Sequence, residues 1–373
     1  MRKSILLFFV LFSFSAMAQD FYLFTGTYTG SGSKGIYVYR FNASSGKTTL
    51  LSSTDSVINP SYLTVSPNAK FVYAVNETGG KHPGRVSSFS FNNKNAKLDF
   101  INDELTGGDS PCYVAIDSTG KWLTVANYSG GSFSIFPINE DGSLQPYAQF
   151  IQDSGSSTNT KRQEKAHVHS TVFSPDQDFL FTPDLGLDKI MIYKFNSSSK
   201  KPLTPATIPF EKMPDGEGPR HFTFHPNKKY AYLISELAGT VSAYKYRDGK
   251  LEKIQNIEAH PRDFKGVIGS ADIHVSPDGN FLYASNRGDE NTIAIFSINK
   301  KTGKLSVKGF QPTMGKAPRN FIIDPTGNYL LVANQDSDNV VIFKRDKNTG
   351  LLKETGMEIK VPKPVCLQMI RIK

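Results

Sequence analysis

The sequence predicts an all-β fold, a closed ring of seven four-stranded antiparallel sheets. Three observations carry this: a turn motif that recurs at a nearly fixed interval, an apolar strand on each side of every turn, and almost no helical periodicity. The motif reads SPNAKFVYAVNE at 66–77, DSTGKWLTVANY at 117–128 and SPDQDFLFTPDL at 174–185. It returns as HPNKKYAYLISE at 225–236, SPDGNFLYASNR at 276–287 and DPTGNYLLVANQ at 324–335. The second residues of these turns stand 51, 57, 51, 51 and 48 residues apart. Pro, Asn, Asp and Gly at the turn positions fix a tight reversal between two apolar runs, as an antiparallel hairpin requires.

Each unit has four strands in order. The first opens with NPSYLTV (59–65), SPCYVAI (110–116) or GPRHFTF (218–224), and the second leaves the turn. The third carries an aromatic at its fourth position: Phe89, Phe136, Tyr193, Tyr244, Phe296 and Phe343. A turn such as Asp248-Gly-Lys-Leu251 or Thr302-Gly-Lys-Leu305 opens the fourth. The N-terminus supplies a seventh copy, with Ile36-Tyr-Val-Tyr39 as third strand but no first strand. The C-terminus ends in an orphan first strand, KPVCLQMIRI at 363–372. One blade is therefore built from both termini, which leaves no open edge in the ring. The prediction is a seven-bladed β-propeller, with residues 19–373 as one domain.

Arg2 and Lys3, the apolar run Ile5 to Phe14 and the small-residue site Ala16-Met17-Ala18 read as a signal peptide over residues 1–18. Its removal lowers the formal charge from +9 to +7, and a periplasmic or extracellular location is expected. No other apolar run is long enough for a membrane helix, so no membrane insertion is expected. The charges are mixed along the chain without a basic, aromatic-interleaved block, which argues against nucleic acid and for a small anionic ligand as partner. Cys112 and Cys366 fall on non-adjacent units and are expected as free thiols. The chain is expected to act as a monomer without a cofactor.

Aligning the units on the turn gives the rare polar residues an address. Six residues before the turn proline, at the entry to each first strand, stand Ser61, Cys112, His169, Arg220, Ala271, Arg319 and Val365. Ten residues after it, at the exit from the second strand, stand Glu77, Tyr128, Leu185, Glu236, Arg287 and Gln335. Entry and exit of an antiparallel pair lie side by side, so both columns map to one rim of the central channel. That rim gathers His169, Arg220, Glu236 and Arg287 as candidate catalytic residues, with His167, Glu77, Arg319 and Tyr128 as candidate substrate contacts. Tyr28 stands at the corresponding exit in the closing blade.

The i, i+2 spacing of His167 and His169 puts both on one strand face, as a metal pair requires. The rim supplies arginines rather than a third ligand, and these repel a cation, so no metal is expected. Tyr128-Ser-Gly-Gly131 leads into a strand rather than a helix, which removes the phosphate-loop reading. Glu236 or His169 serves as general base in a hydrolytic reading, and Arg220 and Arg287 clamp a carboxylate, a phosphate or the developing oxyanion.

The motifs HVHS (167–170), TPDLGLDKI (182–190), GPRHF (218–222), ISEL (234–237), SPDGNFLYASNRGD (276–289) and ANYSGGSFSIFPI (126–138) resemble the seven-bladed propeller lactonases. This family includes the cycloisomerase-type 6-phosphogluconolactonase and the carboxy-cis,cis-muconate cyclase. The resemblance covers residues 21–373. It implies a lactone hydrolase, with a lactonizing cyclase or a non-catalytic binding propeller as alternatives. It also implies an active site made of one of His167 and His169, with Arg220, Glu236 and Arg287. The signal peptide departs from an intracellular sugar-phosphate enzyme and bears on the substrate rather than the site.

Overall fold

A computed structural model describes residues 19–30, 32–55 and 57–372. The segment read as a signal peptide lies outside them. The described residues form seven four-stranded antiparallel sheets in a ring, and the innermost strand of each sheet is the first strand of its repeat. Blade one comprises Leu63–Val65, Phe71–Asn76, Arg85–Asn92 and Lys97–Leu105. Blades two to six follow in chain order, with innermost strands Pro111–Ile116, Val172–Phe173, Pro219–Phe224, Ser270–Val275 and Pro318–Ile323. The closing blade takes its innermost strand, Pro364–Arg371, from the C-terminus and pairs it antiparallel with Asp20–Thr27.

The residue before the turn proline explains why the repeat keeps Ser, Asp or His there. Its side chain accepts a hydrogen bond from a backbone N–H across the turn: Ser66 Oγ from Phe71 N at 2.9 Å, Asp117 Oδ1 from Trp122 N at 2.8 Å, His225 Nδ1 from Asn227 N at 3.0 Å. Each hairpin is thus closed locally, and the apolar faces of neighbouring blades pack to form the core. The third-strand aromatics Phe89, Phe136, Phe296 and Phe343 are fully buried there. Cys112 and Cys366 are buried free thiols.

Blade three departs from the expected strand around the histidine pair. Its innermost strand is only Val172–Phe173, and residues 166–171 run beside the second strand through an isolated bridge between Val168 and Asp184. The Asp184 carboxylate takes the N–H groups of His167, Gly186 and Leu187, drawing the chain into a turn instead of a ladder.

The column one residue inside the rim joins blades across the axis. It contains Tyr62, Tyr113, Ser170, His221, Asp272, Asn320 and Cys366. Tyr62 and Tyr113 stack at 4.2 Å, and both meet the edge of His221, at 5.9 and 5.3 Å, from blades one and two across to blade four. His221 bonds Asp272, Asn320 bonds Asp272, and Leu367 N donates to Asn320 Oδ1 at 2.7 Å. A floor of inter-blade contacts therefore lies directly under the mouth.

Removing residues 363–373 should leave Asp20–Thr27 as an unpaired edge and take away the packing of Val365, Cys366 and Leu367, each buried in the ring. At about 1.5–3 kcal/mol per large apolar side chain, the truncated protein should melt more than about 10 °C lower or fail to fold. A melting temperature within a few degrees of the full-length protein, read by calorimetry, would contradict closure by the terminal strand.

Candidate active site at the channel mouth

A cavity of about 460 Å³ opens on the predicted rim, lined by Tyr28, Glu77, Cys112, Tyr128, Arg162, His169, Glu236, Arg287, Arg319 and neighbouring loop residues. A depression of about 550 Å³ at the opposite rim, around Phe71 and Trp122, has no convergent set of ionisable groups. The chemistry is concentrated at the first.

Glu236 is the hub. Its Oε2 receives Arg220 Nε at 2.9 Å and Arg287 Nη2 at 3.0 Å, its Oε1 receives Arg162 Nη2 at 2.5 Å, and His169 Nε2 stands 3.9 Å from Oε2. Burial alone would raise this carboxyl, but Arg287, Arg220, His169 and Arg162 outweigh it and hold it well below the usual carboxylate range. Glu236 is therefore a fixed anion, with most of its lone pairs already committed to guanidinium groups.

His169 is moved the other way. Burial, reinforced by the Arg220 charge, lowers it well below the usual histidine range, so the ring is neutral at pH 7. The Cys112 thiol donates to the His169 carbonyl at 3.5 Å, and its sulfur lies 3.8 Å from Nδ1. Nε2 lies on the side of Glu236 and the cavity, at 3.9 Å from Oε2 too far to be tied up in a hydrogen bond with the carboxylate. Burial pushes the Cys112 thiol up, so it remains protonated and is no nucleophile.

The second ion pair is looser. Arg319 Nη2 stands 3.9 Å from Glu77 Oε2, and its guanidinium lies over the Tyr28 ring at 5.5 Å. Glu77 Oε2 accepts the Tyr28 hydroxyl at 2.9 Å. Arg319 thus keeps donor capacity for a ligand. With the rim residue Asp336 paired to Lys363, the mouth holds Arg162, Arg220, Arg287 and Arg319 against Glu77 and Glu236. The surplus is positive.

Of the candidates read from the sequence, His169, Glu236, Arg287, Arg319, Glu77 and Tyr128 line this cavity. Arg220 lies beneath it, 1 % exposed, with Nη1 directed at Ala271 O and His221 Nε2. His167 is set aside from the lining: its ring stacks on Tyr128 at 4.6 Å, with Nδ1 3.0 Å from Tyr128 O and Nε2 3.2 Å from Glu164. Arg162 escaped the column reading, because it sits in the long connection between blades two and three. The 57-residue spacing at that point, longer than its neighbours, was the available signal. Gly186 lets this connection approach: a Cβ there would fall 1.8 Å from Lys165 O.

Among family models, the chain matches the lactonase, 7-bladed beta-propeller family over residues 22–369. A 6-phosphogluconolactonase from Formosa agariphila is 43% identical over 349 residues, spanning 93% of this chain and 99% of that protein. One from Bacillus subtilis is 35% identical, spanning 93% and 97%. A solved structure of a putative 6-phosphogluconolactonase from Bacteroides fragilis has a TM-score of 0.90 at 43% identity, covering 94% of this chain and 98% of its own. The periplasmic gluconolactonase of Pseudomonas aeruginosa has a TM-score of 0.90 at 36% identity, covering 95% and 100%.

Glu236→Gln should leave Arg220 buried without its carboxylate partner. Breaking a buried pair from one side costs about 3–5 kcal/mol, so the urea midpoint should fall markedly. A variant as stable as wild type would show that the three guanidiniums do not depend on this anion.

Proposed function

The chain belongs to the seven-bladed β-propeller lactonase family, and on that premise we propose that the channel mouth hydrolyses the ring ester of a sugar-acid lactone. The observation that carries the reading is the juxtaposition of a neutral histidine, a fixed carboxylate and surplus guanidinium charge in one cavity. Neutral imidazole is the form that accepts a proton from water, and guanidinium groups oppose the charge that develops on the carbonyl oxygen.

In this mechanism water attacks the lactone carbonyl as His169 Nε2 takes its proton. The tetrahedral oxyanion forms beside Arg287. Collapse breaks the bond to the ring oxygen, which receives the proton from the imidazolium and leaves as a hydroxyl. The product is the open hydroxy acid. Glu236, 3.9 Å from Nε2, supplies the negative charge that favours the transient imidazolium. Arg319 and Arg162, at the cavity wall, are suited to a carboxylate or phosphate at the far end of the substrate. The names of the relatives point to 6-phosphogluconolactone and gluconolactone as the pair to compare. The N-terminal segment and the periplasmic neighbour together support export of the protein, with Gln19 as its mature first residue.

Purified protein should hydrolyse δ-gluconolactone, its 6-phosphate or both, read by a proton-release assay. Turnover of neither would reject the reading. His169→Gln should lower kcat about 10²–10⁴-fold, the usual contribution of a general base, with the fold retained. Full activity in a folded variant would remove His169 from the chemistry.

The pH dependence has a defined sign. A lowered histidine pKa keeps the base form populated further into acid, so the acid limb of kcat should lie below pH 6.5. A limb at or above that value would contradict the assignment.

A further inference from the structure

One buried histidine in the channel floor is left over by the mechanism above. His221 is 5 % exposed and lies between two charged groups. Its Nε2 is 3.2 Å from Arg220 Nη1, and its Nδ1 is 2.8 Å from Asp272 Oδ1. We infer that His221 is a positioning residue for the lactonase site: held by Asp272 as the Nδ1–H tautomer, it offers Nε2 as a neutral acceptor that fixes Arg220 and, through it, Glu236.

The tautomer follows from the chemistry of its neighbours. A guanidinium has only donors, so the histidine nitrogen that meets Arg220 must present a lone pair. A carboxylate has only acceptors, so the nitrogen that meets Asp272 must carry hydrogen. A neutral imidazole satisfies both contacts in one orientation only. The opposite tautomer sets donor against donor and lone pair against lone pair, and the imidazolium sets a second positive charge against Arg220. Burial, followed by the Arg220 charge, pushes His221 down to about 4, consistent with a ring that stays neutral.

Asp272 is built to impose this orientation. Oδ1 also accepts Ile273 N at 2.9 Å, while Oδ2 faces His274 Nε2 at 2.9 Å and accepts Asn320 Nδ2 at 2.6 Å and Phe321 N at 3.3 Å. These contacts come from blades five and six, so the carboxylate cannot turn away from His221 without breaking the floor. On the other side, Arg220 is tied to Glu236, the Ala271 carbonyl and His221. Of the three anchors, the Ala271 carbonyl comes from blade five, while Glu236 and His221 share blade four with Arg220, His221 being held in turn by Asp272 of blade five. The orientation of Glu236 beside His169 therefore depends on His221, whose ring also packs at 5.4 Å, near-perpendicular, against His169 itself. A displacement of about 1 Å at such a site costs up to about 10²-fold in rate.

This role rests on the lactonase reading, and two variants separate it from a merely structural one. His221→Gln places an amide oxygen near the Nε2 position and keeps an acceptor for Arg220. His221→Asn reaches only the Nδ1 position, keeping the bond to Asp272 and losing the one to Arg220. His221→Asn should lower kcat about 10–100-fold with KM changed less than about threefold, and His221→Gln should recover most of that loss at a comparable melting temperature. Wild-type kcat in the Asn variant, or losses that follow melting temperature alone in both, would overturn the inference. Imidazole ¹⁵N NMR of the wild-type protein decides it independently of either variant. A neutral Nδ1–H tautomer for His221 between pH 5.5 and 8 is expected, and an Nε2–H tautomer or an imidazolium at pH 7 would refute it. If the wild type turns over no lactone while NMR shows the expected tautomer, the functional reading fails and the hydrogen-bond assignment stands.

Discussion

Three guanidinium groups converge on one buried carboxylate, and the mouth of the ring is organised around that encounter. Glu236 contacts Arg162 from the connection before blade three, Arg220 from blade four and Arg287 from blade five. Each of these charges is expensive to bury alone, and each is tolerable because the others are present. The same field that holds Glu236 ionised also keeps His169 neutral, since Arg220 is the largest charge acting on that ring after burial itself. Anion and neutral base are thus two outcomes of one arrangement of arginines.

The floor beneath the mouth ties the blades to one another across the axis. Rings from blades one and two reach His221 in blade four, while Asp272 and Asn320 continue the contacts through blades five and six. These positions are equivalent in the repeat, yet beyond the tyrosines of blades one and two each is filled by a different residue. The repeated frame is carried by the turn motif and the blade cores, where similar residues recur. The site is carried by the two columns at the axis, where each blade contributes its own side chain to a shared centre. Repetition supplies the scaffold, and departure from repetition supplies the chemistry.

The histidine pair shows how far local pattern reaches. Spacing i, i+2 gives His167 and His169 the same face, and pattern alone cannot tell them apart. In the fold, His167 is taken up by Tyr128 and Glu164, while His169 faces Glu236 from the cavity wall. Arg220 shows the reverse case. Its column was legible, but its depth was not, because a long side chain at a rim position can turn outward to the cavity or inward to the floor. The carbonyl of Ala271 and the lone pair of His221 draw it inward.

By itself the sequence determined the seven-blade ring, its closure by the two chain ends and the rim on which the rare charges meet. Those features follow from local rules: turn chemistry, alternation of apolar residues and the side-by-side placement of entry and exit in an antiparallel pair. Tertiary structure alone decided that Arg162 joins the cluster from a connection outside the repeat, that Arg220 and His221 stand behind the site, and that His167 turns away from the cavity lining. Side-chain direction at a strand end is set by the donors and acceptors that neighbouring blades present. Those neighbours are brought together only when the ring closes.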